Sequence, residues 1–340
     1  MKLGIIGGGS ISRWHLDGYA GSEHVDNVVL AEPRPNPPAE SKLMELFPNG
    51  RIVTDYKALL ADDSIEVVDL CVPHHLHADL AVEALQAGKH VITEKPIATT
   101  VQDGLRMIEE AKSVGRRFFV VMNHAYALHF RRAKELIDAG ELGELFMGVI
   151  HVAGNEFPTM NDSSHWKGTW DKAGGGVLID TGYHAMYLML DVFGKPVSVS
   201  CCAKRLVVEP DNKADDNTVV TMEFANGAIG TLILSYTVLS EPWTERRYFY
   251  GRKASLEMND SMDTPLTLYR DHQAAETMKW TEATNPQVYG MHRCLRHYVD
   301  CIVTGKEPML PAVHAVDTLA TIKAAYRSAK SGAVERDDAS

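Results

Sequence analysis

Leu3–Gly4–Ile5–Ile6–Gly7–Gly8–Gly9–Ser10–Ile11–Ser12 lies at the start of the sequence and decides its architecture. A short apolar run feeds a glycine-rich turn, and Trp14, Leu16 and Tyr19 continue it at helical spacing. A strand, a G-x-G-x-x-S turn and a helix in succession predict a dinucleotide fold. Gly7 is needed for the tight turn. Gly9 lets the backbone approach a pyrophosphate, whose charge rests on the helix N-terminus at Ser10 and Ile11. Ser12 stands where glycine or alanine is usual, and it is small enough to keep helix and strand close.

The next apolar run, Val28–Val29–Leu30–Ala31, ends at Glu32. That is about 20 residues past the glycines, where this fold places the acid that holds the ribose hydroxyls. An acid there repels a 2′-phosphate, so NAD is favoured over NADP. Arg34, two residues on, is placed to hold such a phosphate and keeps NADP open. Three further apolar runs follow, ending at Pro73, at Glu94–Lys95–Pro96 and at Asn123. Helical segments at 80–85 and 101–113, closed by Gly88 and Gly115, separate them. Short strands apolar on both faces and alternating with helices predict a doubly wound parallel sheet. Glu32, Pro73, Lys95 and Asn123 should share its carboxyl edge, where ligands bind. Pro96 has no N–H to donate and restricts the residue before it, so Lys95 sits on a stiff backbone.

The pattern changes after residue 122. A helix at 130–139 is followed by strands at 145–152, 197–208, 217–224, 228–236, 246–250, 254–258 and 266–269, with helices at 289–304 and 312–331. Asn226–Gly227 predicts a type I′ hairpin, and Glu335–Ser340 reads as a frayed tail. A Rossmann domain at 1–122 and an α+β domain at 123–340, built on a mostly antiparallel open-faced sheet, are expected. Within the second, Gly174–Gly175–Gly176 leads to Asp180 and His184, four residues apart and so on one face of a helix, as an orienter and a base would be.

The chain has 340 residues and a formal net charge of −11, which argues against nucleic acid as a partner. Its five cysteines are odd in number and lack ligand spacing, and they read as reduced, packed thiols. Fifteen histidines raise a metal reading, with His74, His75 and His77 clustered, but no His-Glu-x-x-His stands behind it, and no metal is expected. No apolar run is long enough for a bilayer, and cytoplasm is the expected location.

Gly7-x-Gly9, Val72–Pro73 with His77, Gly88–Lys89–His90–Val91 leading to Glu94–Lys95–Pro96, and Gly174–Gly175–Gly176 leading to Asp180-x-Gly182-x-His184 together resemble the glucose–fructose oxidoreductase / inositol dehydrogenase / rhizopine catabolism (Gfo/Idh/MocA) family. The resemblance covers essentially the whole chain. It implies NAD(P)-dependent oxidation of a secondary alcohol on a sugar, cyclitol or related polyol, by a homodimer or homotetramer. It places Lys95, Asp180 and His184 at the reacting carbon, and His77 and Glu94 among the residues about the cofactor. Either His184 or Lys95 is the base. Substrate contacts are expected from His124, Asn155, His165, Trp166, Tyr183 and His292 besides the catalytic three. A departure falls at Asn123–His124–Ala125–Tyr126, where many members carry an arginine-rich segment. Relatives that retain NAD to cleave or epimerise a glycoside, and sugar-sensing regulators, are the alternatives. Keeping both Lys95 and His184 argues against the regulator.

Overall fold

In the computed structural model, which describes residues 1–162, 164–209, 214–239, 243–259, 265–280, 288 and 290–336, the short apolar runs pair first. Strands β1 (Lys2–Ile6), β2 (Asn27–Ala31), β3 (Arg51–Val53), β4 (Ile65–Leu70), β5 (His90–Thr93) and β6 (Phe118–Val120) form one sheet in the order β3-β2-β1-β4-β5-β6. Every pairing in it is parallel. The helices between them are α1 (Ser10–Ala20), α2 (Glu40–Leu46), α3 (Tyr56–Leu60), α4 (His77–Gln86) and α5 (Val101–Ser113). Asp55 and Thr100 start α3 and α5 by accepting the backbone N–H groups of Lys57 and Asp103. The strand order reverses between β1 and β4, the switch point at which this fold binds ligands. The doubly wound parallel sheet is as the sequence predicts.

From α6 (Leu128–Asp138) and β7 (Leu145–Ala153) onward a second sheet forms. Helices α7 (Phe157–Met160), α8 (Trp170–Ala173) and α9 (Gly182–Phe193) lead into β8 (Pro196–Lys204), β9 (Asn217–Phe224), β10 (Ile229–Ser235), β11 (Thr244–Gly251), β12 (Ala254–Asn259), β13 (Leu266–Arg270) and β14 (Glu276–Met278). The order is β14-β13-β12-β11-β7-β10-β9-β8-β15, where β15 is Glu335–Arg336, and only β7 with β10 is parallel. In β9 Val220, Met222 and Phe224 face the core while Val219, Thr221 and Glu223 are exposed, the alternation expected of unlike faces.

Three local expectations are corrected. Asn226 does not take a positive φ, whereas Gly227 does (79°), and its N–H bonds the Phe224 carbonyl at 2.8 Å. This is a type I turn closed by a left-handed glycine, so the hairpin is not type I′. The strand expected to reach residue 208 stops at Lys204, because the Asp216 carboxylate captures the N–H groups of Leu206, Val207 and Val208 at 2.7–2.9 Å. Glu335 and Arg336, expected as frayed tail, pair with β8, and the rest of that tail (337–340) lies outside the described residues.

The chain divides into two compact units, Met1–Asn123 with Gln287–Val316, and His124–Pro286 with Asp317–Ser340. The helix expected from residue 289 is observed as α10 (Met291–Thr304), Tyr289 lying outside the described residues; α11 (Ala312–Ser331) follows. Unit 1 therefore regains chain that a single cut at 122/123 assigns elsewhere. The cause is packing: the buried face of α10, with Leu295, Tyr298 and Val299, lies on α1 where Gly18 leaves room for the Leu295 side chain. Tyr298 Oη donates to the Val120 carbonyl (2.7 Å) and Arg296 Nε to that of Gly18 (3.1 Å). Among the described residues no helix is long and apolar enough to cross a membrane.

Candidate functional site

In unit 1 the sheet's carboxyl edge is built by the turns that leave β1, β2, β4, β5 and β6. Gly7 has φ of 102°, and a Cβ there would lie 2.3 Å from the Cys71 carbonyl oxygen, so only glycine fits. A Cβ on Gly9 would meet nothing within 4 Å, and no side chain caps the N-terminus of α1. Open space over uncapped N–H groups is what a pyrophosphate needs. Ser12 is buried and its hydroxyl donates to the Gly9 carbonyl at 2.6 Å, so the unusual third position ties the turn to the helix.

Glu32 accepts the Gly8 N–H (2.8 Å), the Arg34 N–H (3.1 Å) and two guanidinium N–H groups of Arg34 (2.7 and 2.9 Å). Those bonds to Arg34 outweigh burial and hold its carboxyl down at about 2. It is thus an ionised, oriented acceptor beside the glycine turn. Arg34 is bound to it and is largely exposed. These residues fit the adenosine half of a dinucleotide.

At the β4 and β5 edge the Lys95–Pro96 peptide bond is cis. Glu94 Oε2 accepts the backbone N–H of Lys95 at 2.9 Å. His77 is fully buried between two carbonyls, Nδ1 at 2.8 Å from Pro96 O and Nε2 at 2.9 Å from Val72 O. Burial pushes its pKa down, so the neutral ring donates to one of them at a time. His77 brackets the chain on either side of Pro73 and Lys95 rather than ligating a metal. Asn123 is buried in the short turn after β6. His15, Asp69 and Cys71 form a buried group of potential ligands, but Nδ1 of His15 bonds Asp69 at 2.6 Å and Nε2 faces Glu94 at 3.0 Å. These atoms serve one another.

In unit 2 the expected relation of Asp180 to His184 is corrected. Asp180 lies in a turn and α9 begins only at Gly182, so the two do not share a helix face. The reason is Asp215, whose carboxylate accepts the N–H groups of Gly176 (2.8 Å) and Leu178 (3.1 Å) and whose carbonyl accepts that of Val177 (2.8 Å). The loop is pinned to Asp215 instead of continuing the helix backward. Asp180 Oδ2 instead meets Lys167 Nζ and Tyr236 Oη, each at 2.7 Å. Burial, then Asp180, pushes the Tyr236 phenol well up, keeping it a donor.

His184 stacks on His124 with centroids 3.9 Å apart and planes 13° off parallel. Its Nδ1 lies 3.0 Å from Tyr187 Oη, which also accepts the His124 backbone N–H at 2.9 Å. His124 Nδ1 is 3.3 Å from Glu245 and 3.4 Å from Arg247, and those two form a buried ion pair. Two imidazoles, a phenol and a charged pair are thus fixed beside a helix whose other side chains are almost all apolar and buried.

The remaining expected contacts separate. His165 Nδ1 accepts the Lys167 N–H at 3.3 Å, and its ring stacks on Trp166, near Lys167 and hence near Asp180. Burial, then Lys167, pushes the His165 pKa down. Asn155 is exposed and accepts the Phe157 N–H (3.1 Å) just ahead of α7. Tyr183 is fully buried and packs on Tyr187, so it is a core residue. His292 lies on α10 against α1, beside Asp17, Lys42, Arg293 and Arg296, two turns from the N-terminus of α1 that faces the ligand edge. Tyr183 is thus a core position, and His292 sits half-buried where α10 meets α1. Sequence reasoning missed Lys167, Tyr187, Tyr236, Glu245 and Arg247. Only Tyr187, one helical turn after His184, carried a local signal.

Residues 1–122 match the family of oxidoreductases with an NAD-binding Rossmann fold, and residues 130–257 match the GFO/IDH/MocA C-terminal domain. Levoglucosan dehydrogenase of Pseudarthrobacter phenanthrenivorans is 28% identical over 68% of this chain and 66% of its own length, and the next two similar relatives are covered for 53% and 43%. The chain thus spans less than two thirds of the length of each. D-glucoside 3-dehydrogenase of Escherichia coli is 25% identical, over 98% of this chain and 96% of its own. A solved levoglucosan dehydrogenase in complex with NADH and levoglucosan superposes with a TM-score of 0.88 at 22% identity, covering 99% of each chain, a likeness of fold. Residues 1–122 are thus an NAD-binding Rossmann domain.

Proposed function

The chain belongs to the Gfo/Idh/MocA oxidoreductase family, and from that footing we propose that it is a dehydrogenase of a secondary alcohol on a sugar, cyclitol or related polyol. The observation that carries this reading is the polar set of unit 2, Asp180 with Lys167 and Tyr236 and His184 with His124 and Tyr187, beside the largely apolar, buried helix α9. Similar relatives named for levoglucosan and for a D-glucoside support a pyranose-like substrate.

When bound, NAD supplies the hydride acceptor. The alcohol must lose its hydroxyl proton as the carbinol hydrogen leaves with its electron pair, so that a carbonyl forms. We assign that proton to His184. If Tyr187 Oη accepts both the His124 N–H and a proton on His184 Nδ1, Nε2 keeps its lone pair and is the basic atom. Asp180, charge-paired with Lys167, grips a neighbouring hydroxyl. Lys95 is assigned the developing negative charge on the alcohol oxygen, or the proton itself. Val219 and Ile233, exposed cross-strand neighbours on the open sheet face, support assembly as a homo-oligomer.

The test is NADH formation, by absorbance, against a panel of anhydrosugars, glycosides, free sugars and inositols. Steady NADH production with at least one class is expected. Product formed without net NADH means a redox-neutral enzyme, and binding of sugars with no turnover in the panel sinks the reading.

NAD is preferred over NADP because the Glu32 carboxylate stays ionised and holds Arg34. A folded pKa below the ordinary 4.5 means its contribution is intact above that pH and lost only as pH falls toward about 2. Glu32→Ala removes a charged hydrogen-bond acceptor worth about 1.5–3 kcal/mol, so NADH affinity should fall about 10- to 100-fold. NADPH affinity should rise as Arg34 is released. Fluorescence titration with both cofactors checks this, and an unchanged preference contradicts it.

A further inference from the structure

We infer that His15 is a positioning residue for the proposed reaction: held between Asp69 and Glu94, it fixes the carboxylate that fixes the backbone of Lys95. This rests on the reading of Lys95 as a catalytic group. All the residues concerned lie in unit 1.

His15 is fully buried on the inner face of α1. Its Nδ1 lies 2.6 Å from Asp69 Oδ2 and its Nε2 3.0 Å from Glu94 Oε1. Ionised carboxylates only accept, so two such bonds require hydrogen on both ring nitrogens. Glu94 then uses its other oxygen for the Lys95 N–H at 2.9 Å. The chain of contacts runs Asp69, His15, Glu94, Lys95 without a gap. On the far flank His77 lies 2.8 Å from the Pro96 carbonyl, so the segment 94–96 is gripped from two helices, α1 and α4.

Other titratable groups face His15 from every neighbouring element. Tyr19 donates to the same Asp69 oxygen (2.8 Å), Cys71 Sγ is 3.4 Å from Nδ1, and Cys294 approaches from α10. The Cys71 thiol is pushed up to about 12 by burial and by Asp69, so it is uncharged. Burial alone would lower the His15 pKa, but the charge and hydrogen bond of Asp69 work against it, and the pKa lies well above the ordinary range. Glu94 is drawn below the usual carboxylate range by His15 and Lys95 despite burial.

A fold does not need this group. Buried charged sets are no more stabilising than well-packed apolar side chains of similar volume, and removing one member leaves an unpaired charge. What this one delivers is a fixed acceptor at one backbone N–H, that of Lys95. A displacement of about 1 Å at a reacting group costs on the order of 10²-fold in rate.

The test uses the full chain, and its first arm needs no variant. Histidine-labelled protein should give a His15 signal with hydrogen on both ring nitrogens at pH 7.5; a single neutral tautomer overturns the inference. In the second arm, His15→Gln and, should it fail to fold, Glu94→Gln are compared with the parent for exchange of the Lys95 amide hydrogen, NADH binding and turnover. Glu94→Gln keeps an acceptor for the Lys95 N–H but lets His15 become neutral. Faster exchange at Lys95 in His15→Gln, with kcat down on the order of 10²-fold and KM for the alcohol little changed, is the expected result. In Glu94→Gln, where a neutral acceptor is no longer locked by a charged imidazole, faster exchange at Lys95 with the same fall in kcat is expected. Unchanged exchange at Lys95, in whichever of the two variants is used, overturns the inference. Faster exchange with unchanged kcat upholds the positioning and removes Lys95 from the proposed chemistry.

Discussion

Lys95→Met is expected to lower kcat about 10³-fold, within the range of 10²- to 10⁴-fold that a positioned proton-transfer group contributes. The melting temperature and the NADH dissociation constant should stay near those of the parent. Methionine matches the unbranched stem of lysine and carries no charge. The backbone at this position is held by other atoms: Glu94 takes the Lys95 N–H, and His77 brackets the Pro96 carbonyl. The substitution therefore removes a charge and a proton site without removing a support. Steady-state kinetics with the best alcohol of the panel measures it. A variant turning over at the parental rate would leave His184 as the sole candidate.

Gly176→Ala is expected to cost about 3 kcal/mol or more, the upper range for overpacking, and to lower the melting temperature by about 10 °C. A Cβ on Gly176 would lie 1.9 Å from the carbonyl oxygen of Asp215 and 2.5 Å from its nitrogen. Backbone cannot swing aside as a flexible side chain can, and Asp215 is bound on every side. Its carboxylate accepts Gly176 and Leu178 N–H groups and the hydroxyls of Thr218 (2.7 Å) and Tyr326 (2.7 Å). The Asp180 N–H bonds the Gly176 carbonyl at 3.1 Å, so whatever of the variant folds should also misplace Asp180. Calorimetry and kcat are expected to fall together. Melting with the parent protein would mean that Asp215 does not hold the loop.

The first unit was legible because its signals are local. Gly7, Gly9, Glu32 and Lys95 each follow an apolar strand directly, and one strand order brings them to a single edge. Its hidden part is also intelligible afterward: Asp69 is an acid inside a buried strand, and such a residue requires a partner. The second unit was legible as a sheet but not as a site. Asp180 and His184 have helical spacing, but spacing carries no information about Asp215, which claims the loop from 37 to 39 residues away in sequence. Lys167, Tyr236 and the Glu245–Arg247 pair of β11 come from separate elements, and only the fold joins them. Tyr183 and His292 were polar side chains of plausible type that packing directed elsewhere.

The return of α10 to the first unit sets an order on biogenesis. A ribosome delivers the parallel sheet first, yet the face of α1 around Gly18 has to wait for Leu295 and Arg296 of α10, and so for nearly the whole message to be read. The nucleotide-binding half is consequently the first begun but is closed only after eight of the nine strands of the second sheet have been made. A nascent chain stalled before residue 291 carries every glycine and acid of the cofactor turn, but its first helix is bare along one side.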